Sequence, residues 1–172
     1  MRKALYRLDQ FRRAHLDKPT EAEFSRAGEI LSPQLFELFS QMMPFEQAHA
    51  IRVMDRLVSA GYQEPDLLAA ALLHDLGKVN YQLRPWERGL AVLAKRFFPN
   101  LYHQWSTASP AGIRAGMVVA ARHAEWGAAM VEAAGANPRV VWLIANHDAD
   151  LRDMEDADRA VLSVLQAVDA AN

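Results

Sequence analysis

The chain has 172 residues, the size of one ordinary domain. Apolar residues make up 51% and charged residues 23%, a globular composition that excludes a disordered or low-complexity chain. The net charge of −2 gives no bulk positive field for nucleic acid, and the lack of cysteine excludes disulfides, thiolate metal sites and a cysteine nucleophile.

The hydropathy pattern of the sequence indicates neither export nor insertion into a membrane. The N-terminal residues are positively charged but no apolar run follows them, so we expect no signal peptide. The longest apolar stretches, 115–121 and 140–145, are far shorter than the roughly 20 residues of a membrane helix. Together with the absence of cysteine, these features predict a cytoplasmic protein with no membrane partner.

Helix signals dominate the first half of the chain. Residues 20–23 form a capping box, and residues 32–33 place a serine cap before a proline. A helix is predicted over 44–60, ended by Gly61, and another over 65–75, ended near Gly77.

The second half continues in the same way. Residues 78–84 and 99–112 show little regular pattern and are interpreted as irregular. Helices are predicted from near residue 122 to 135, from 138 to about 147, and over 155–171. Because no segment alternates at a period of two, we predict an all-α fold, a single compact bundle of seven to nine helices.

Several ionisable residues lie on apolar stripes of these helices, at the i, i+3, i+4 and i+7 spacing of one face. A single buried histidine is more often a core residue bonded to a backbone carbonyl, but a carboxylate on an apolar face is costly unless it is paired or binds a metal. Imidazole and carboxylate ligands together suit Mn, Fe, Co, Ni or Zn. The residues are His49, His74, His123, His147 and Asp169, with Asp75 beside His74.

Two further histidines do not join this set. His15 follows Leu8 and Phe11 at helical spacing without a carboxylate partner, and we interpret it as structural. His103 lies in an irregular stretch and receives no role.

The ordered set His49, His74-Asp75 and Asp169 resembles the HD-domain superfamily of metal-dependent phosphohydrolases. The sequence Ala-Ala-Leu-Leu-His-Asp-Leu-Gly-Lys around the doublet is similar to the most recognisable segment of that family. The segment that begins at His123 and the separate segment that ends at His147 resemble those in which two-metal members carry further histidines. The resemblance covers residues 45–172, about three-quarters of the chain.

The resemblance implies an HD-type helical core at 44–172, preceded by an N-terminal helical extension at 1–43 within one domain, 1–172. It implies that His49, His74, Asp75 and Asp169 hold a first divalent ion, and that His123 and His147 hold a second, with Asp75 bridging the two. One or two ions of Mn, Fe, Co, Ni, Mg or Zn are expected.

Lys78, Arg52 and Glu46 complete the predicted site. Asp75 and Lys78 are the expected catalytic residues, and the lysine is expected to face the phosphate of the substrate. Arg52 lies one turn after His49 and is a second candidate for substrate binding. Glu46 lies one turn before His49 and is a candidate to orient its ring.

The expected reaction is hydrolysis of a phosphoester or phosphoanhydride in a small phosphorylated substrate, for which we expect a nucleotide. The Gly-Tyr-Pro segment of members that hydrolyse cyclic dinucleotides is missing, so that activity is not assigned. Asp148 follows His147 where some two-metal members have a second histidine. The sequence therefore predicts the site of the first ion more clearly than that of the second. The alternatives are a non-hydrolytic metal- and nucleotide-binding signalling domain and a di-iron oxygenase. A homodimer is compatible with the sequence.

Overall fold

A computed structural model describes residues 17–81 and 83–171, which form nine α-helices, three short 3₁₀ helices and no strand. The predicted all-α bundle of seven to nine helices is confirmed within these ranges. Residues 1–16, which include His15 and part of the predicted extension, lie outside the described residues. The helices are α1 (Glu21–Ile30), α2 (Pro33–Ser40), α3 (Pro44–Ser59), α4 (Pro65–Leu73), α5 (Pro85–Phe97), α6 (Pro99–Ser106), α7 (Ala115–Ala133), α8 (Pro138–Asn146) and α9 (Asp156–Ala170).

Local sequence signals fix most helix ends. Six of the helices, α2 to α6 and α8, begin at a proline, whose fixed φ and missing N–H suit the first position. At α1, Thr20 Oγ1 accepts from the N–H of Glu23 at 3.3 Å, and the Glu23 carboxylate accepts from the N–H of Thr20 at 2.7 Å. Gly61 follows α3 with a φ of +93°, where glycine is favoured.

Two predicted boundaries are wrong. Residues Pro99–Ser106 form α6 rather than an irregular segment, because Pro99 supplies a first helical position and Tyr102 packs into a core cluster. Helix α7 begins at Ala115 rather than near Arg122, because the apolar run 115–121 forms its buried first half.

The helix that carries the His74-Asp75 doublet also ends earlier than predicted. Helix α4 stops at Leu73, and a 3₁₀ helix follows at Leu76–Asn80. Gly77 is therefore not a helix end but part of this 3₁₀ segment. The doublet occupies the turn between the two elements, with both side chains buried.

The main hydrophobic core surrounds α4, in which every residue from 67 to 73 is buried. Helices α1 and α2 contribute Ala27, Leu35 and Phe39 to this same core, so the described part of the N-terminal extension packs against it. A smaller core lies between α5, α6 and α7. No helix among the described residues is both long and apolar enough to cross a membrane.

One close backbone contact joins the 3₁₀ segment to α7. A Cβ atom added to Gly77 would lie 2.0 Å from the carbonyl oxygen of His123 and 2.8 Å from the nitrogen of Gly127. Only a glycine fits here, so Gly77 sets the distance between the turn that carries Asp75 and the helix that carries His123.

Candidate metal centre

The six predicted ligands lie together at one end of the main core, although they are up to 120 residues apart in sequence. Five α-helices supply them, from within the helix or directly after its last residue. Their positions are His49 in α3, His74 and Asp75 after α4, His123 in α7, His147 after α8, and Asp169 in the last turn of α9.

Three of the histidines are held in the same way. Nδ1 of His74 lies 2.9 Å from the carbonyl oxygen of Ala71, and Nδ1 of His147 lies 2.8 Å from that of Ile144. Nδ1 of His123 lies 3.1 Å from the carbonyl oxygen of Val119. Because a carbonyl oxygen can only accept, Nδ1 carries the proton in each ring, and a neutral ring has its lone pair on Nε2.

The first group of potential ligands consists of His49, His74 and Asp169. Nε2 of His49 lies 2.8 Å from Oδ1 of Asp169, and Nε2 of His74 lies 3.6 Å from the same oxygen. The His74 side chain is only 1% exposed, whereas the Asp169 side chain is 37% exposed and faces the open side of the site. This group therefore has one buried and two accessible members.

The second group consists of Asp75, His123 and His147, all of which are buried. Nε2 of His123 lies 3.1 Å from Nε2 of His147 and 3.5 Å from Oδ1 of Asp75. The other carboxylate oxygen of Asp75, Oδ2, lies 3.6 Å from Nε2 of His74 in the first group. The two oxygens of Asp75 thus face the two groups separately.

These contacts fit a cation better than they fit a network of hydrogen bonds. Nε2 of His74 is buried and has no hydrogen-bond partner among the described residues. Nε2 of His123 and Nε2 of His147 are both acceptors when their rings are neutral, yet they face each other. Two ligand atoms about 2.1 Å from one ion, at angles of roughly 90–109°, lie about 3.0–3.4 Å apart, close to the separations in this cluster. The buried His/Asp cluster can therefore hold a metal ion.

Burial and the two carboxylates shift the pKa values of three of the histidines. Burial lowers the pKa of His147 to about 3, with a further contribution from the neighbouring His74 and His123. Burial also lowers the pKa of His123. Burial opposes protonation of His74 too, but Asp75 and Asp169 outweigh it and raise its pKa. His123 and His147 are therefore neutral at neutral pH, which is the form that binds metal.

Both carboxylates are ionised. Burial alone would raise the pKa of Asp75, but Lys78 and the surrounding histidines hold it well below its usual value. Burial acts in the same direction on Asp169, but the hydrogen bond with His49 and the neighbouring His74 lower its pKa. Nζ of Lys78 lies 2.5 Å from Oδ1 of Asp75, so the predicted catalytic pair is in direct contact.

A cavity of about 560 Å³ opens beside the cluster. All the predicted ligands except His74 line it, and so does Lys78. Other lining residues come from α5, α6 and the first half of α7, and Arg88, Lys95 and Tyr102 are among them. Burial and the nearby Asp148 raise the pKa of Tyr102, and Nζ of Lys95 lies 3.7 Å from Oδ2 of Asp148.

Two residues that the sequence placed near the site make other contacts. Arg52 pairs with Asp17 through a short contact and is not among the residues that line the cavity. Glu46 accepts a hydrogen bond from Arg88 at 2.9 Å, and no contact between Glu46 and His49 is found among the described residues. His103 is exposed on α6.

The part of the cavity lining that α5 and α6 supply was not predicted from the sequence. Tyr102 lies in the stretch 99–112 that was interpreted as irregular, and no element was predicted over 85–98, so no helical face was assigned to Arg88 or Lys95. Pro85 with Glu87 and Pro99 are helix-start signals that could have revealed α5 and α6. The pairing of Arg88 with Glu46 spans 42 residues and has no local signal.

Comparisons of the chain with protein-family models, with curated proteins and with solved structures found no match.

Proposed function

We propose that this protein is a metal-dependent phosphohydrolase of the HD-domain superfamily, which cleaves a phosphoester or phosphoanhydride, with a nucleotide as the substrate. The observation that carries the proposal is the position of Asp75. Its two oxygens face separate histidine groups, and Lys78 contacts it at the edge of an open cavity.

The side chains present fit a site for two divalent ions. His49, His74 and Asp169 would hold one ion, His123 and His147 would hold the other, and Asp75 would contact both. When bound, such ions supply positive charge that lowers the pKa of water and neutralises charge on phosphate oxygens. Nitrogen and carboxylate ligands leave Mn, Fe, Co, Ni and Zn as candidates, and Mg suits a site with more oxygen ligands.

The surroundings of Lys78 support a role in phosphate binding. Its side chain is 25% exposed and lines the cavity, while its ammonium group contacts the buried carboxylate of Asp75. An ammonium group has three donors, so Lys78 can keep one contact to Asp75 and donate to a phosphate oxygen with another. Asp75 in this arrangement orients the lysine toward the cavity.

The cavity also favours a substrate with an apolar part. Its volume lies within the range of about 300–1,000 Å³ that is typical of small-molecule sites. The lining of the cavity includes the apolar residues Leu83, Ala91, Val92, Val119 and Ala120. A nucleoside combines a flat apolar base with a polar sugar, and its phosphate would extend toward Lys78.

Hydrolysis can be tested directly. The purified protein is analysed for metals, loaded in turn with Mn, Fe, Co, Ni or Mg, and assayed for phosphate release from nucleoside mono-, di- and triphosphates. We expect release with at least one nucleotide, dependent on added metal and lost on chelation. Metal binding without release from any nucleotide would favour the non-hydrolytic alternative, and uptake of oxygen by an iron-loaded form would favour the oxygenase.

A further inference from the structure

Arg88 makes two side-chain contacts beside the proposed site, although the proposed function gives it no role. Its Nη2 donates to Oε1 of Glu46 at 2.9 Å, and its guanidinium carbon lies 4.9 Å from the centre of the Phe45 ring. The Glu46 side chain is only 4% exposed and the Arg88 side chain 21%. One face and one nitrogen of the guanidinium therefore have protein partners, and Arg88 is among the residues that line the cavity.

The position of Glu46 places Arg88 near the first group of ligands. Glu46 and His49 lie on the same helix three residues apart, a spacing at which side chains are neighbours. Lys78 is bound instead to Asp75, on the segment that follows α4. The two cations thus reach the same cavity from different elements.

The guanidinium of Arg88 has donors to spare. Its Nε is buried and has no hydrogen-bond partner among the described residues. A guanidinium has five N–H groups in a planar arrangement, of which Glu46 uses one. Because Nε is enclosed, the donors available to a ligand in the cavity are those of the two terminal nitrogens that Glu46 does not use. Phosphate oxygens match the planar donors of arginine especially well.

We propose that Arg88 is a substrate-binding residue, which binds the phosphate group together with Lys78; the proposal rests on the proposed phosphohydrolase function. Lys78, Arg88 and the ligand cluster approach the cavity from three elements. With metal bound, this concentration of positive charge at one cavity favours a doubly ionised phosphate over a singly charged phosphodiester. The substrate class is therefore a phosphate monoester or the terminal group of a phosphoanhydride, rather than a phosphodiester.

The test is a calorimetric titration of the Mn-loaded protein with inorganic phosphate and, separately, with dimethyl phosphate. Wild type should prefer inorganic phosphate. Arg88→Gln should weaken phosphate binding by about 10-fold or more, because charge-assisted hydrogen bonds are lost. Arg88→Lys should also weaken it, because a lysine lacks the planar donors. Arg96→Gln, which removes an exposed arginine of the same helix, should stay within about twofold of wild type.

The variant Arg88→Gln leaves the buried Glu46 without its partner, so folding needs its own control. The double variant Glu46→Gln/Arg88→Gln removes both charges of the pair, and it should bind phosphate as weakly as Arg88→Gln while retaining the metal content of wild type. Phosphate binding within about twofold of wild type in both Arg88→Lys and the double variant would overturn the proposal.

The same samples separate this proposal from the proposed function. Phosphate binding that depends on Arg88, in a protein that releases phosphate from no nucleotide, would contradict hydrolysis but support the binding role. Hydrolysis that is retained while Arg88→Gln binds phosphate as wild type does would overturn the binding role alone. If the protein takes up no Mn, the titrations are made on the metal-free form at higher phosphate concentrations, and the absence of any phosphate binding by wild type overturns the role of Arg88.

Discussion

Nε2 of His123 lies 3.1 Å from Nε2 of His147, and both rings have their Nδ1 atoms against backbone carbonyl oxygens. In neutral rings of this tautomer the two Nε2 lone pairs face each other, which is unfavourable unless a cation lies between or beside them. Burial lowers the pKa of both rings, so a proton is a poor cation for this position. A divalent metal ion satisfies both nitrogens.

The first prediction concerns the pH dependence of stability without metal. Burial lowers the pKa of His123, and lowers that of His147 to about 3, against an ordinary value of 6.5. The unfolded chain therefore binds more protons than the folded chain below pH 6.5, and stability falls as the pH falls. Each fully shifted group contributes up to about 1.4 kcal/mol per pH unit.

His74, Asp75 and Asp169 do not cancel this decrease of stability with falling pH. His74 has a raised pKa, so its contribution is complete below pH 6.5 and is lost only as the pH rises through its folded value. The lowered pKa values of Asp75 and Asp169 matter only near and below pH 4. We expect the free energy of unfolding in chelator to decrease between pH 6 and pH 5.

The variant His147→Gln should show a shallower decrease, by up to about 1.4 kcal/mol per pH unit. The variant His103→Gln, at an exposed position, should keep the slope of wild type. Urea unfolding at the two pH values measures both. An equal slope in wild type and His147→Gln would show that His147 does not titrate as the buried geometry requires.

The second prediction concerns the contact between Gly77 and α7. In Gly77→Ala the new methyl group would collide with the carbonyl oxygen of His123, which is backbone and cannot move away on its own. We expect a loss of about 1–3 kcal/mol in the free energy of unfolding, and weaker metal binding because His123 is displaced. Gly89→Ala is the matched control, since its Cβ meets nothing within 4 Å. It should be neutral or stabilising by up to about 1 kcal/mol.

Thermal unfolding and metal titration of the two glycine variants provide the comparison. If Gly77→Ala bound metal with the affinity of wild type, the close contact would not control the position of His123.

The third prediction concerns Asp75. Asp75→Asn keeps the size of the side chain but removes the charge that faces both ligand groups and Lys78. We expect loss of hydrolysis and a marked drop in bound metal, together with a stability cost of about 1–3 kcal/mol from partners left unsatisfied. The control is Asp156→Asn, whose carboxylate is almost fully exposed. Elemental analysis, phosphate release and urea unfolding are measured on each variant. Full metal content and full turnover in Asp75→Asn would contradict the assigned role.

The ligand cluster was predictable because its signals are local. A histidine or aspartate on an apolar stripe, such as His49 or Asp169, is visible from helical spacing alone, since the stripe must face the core. The doublet at His74 and Asp75 was equally visible, although the helix ends at Leu73 and not after it. The interactions of a buried turn with α7 are tertiary, so the spacing could not show that Gly77 is part of a 3₁₀ segment.

The far wall of the cavity was not predictable for a related reason. Its position depends on how α5 packs against α3 and α7, and the pair formed by Arg88 and Glu46 belongs to two helices that are distant in sequence. Arg52 was expected near the site because it shares a helix with His49, but it pairs with Asp17 on the surface instead. Helical spacing indicates which residues share a face, but not which neighbouring element covers the edge of that face.

We expect the two ligand groups to hold two ions, and the ratio of metal to protein measures this number. Wild type and the double variant His123→Ala/His147→Ala are loaded with Mn, freed of excess metal and analysed for Mn per chain. We expect close to two ions in wild type and about one in the double variant, because His49, His74, Asp75 and Asp169 remain. A wild-type ratio that stays near one at saturating Mn, with no decrease in the double variant, would contradict it.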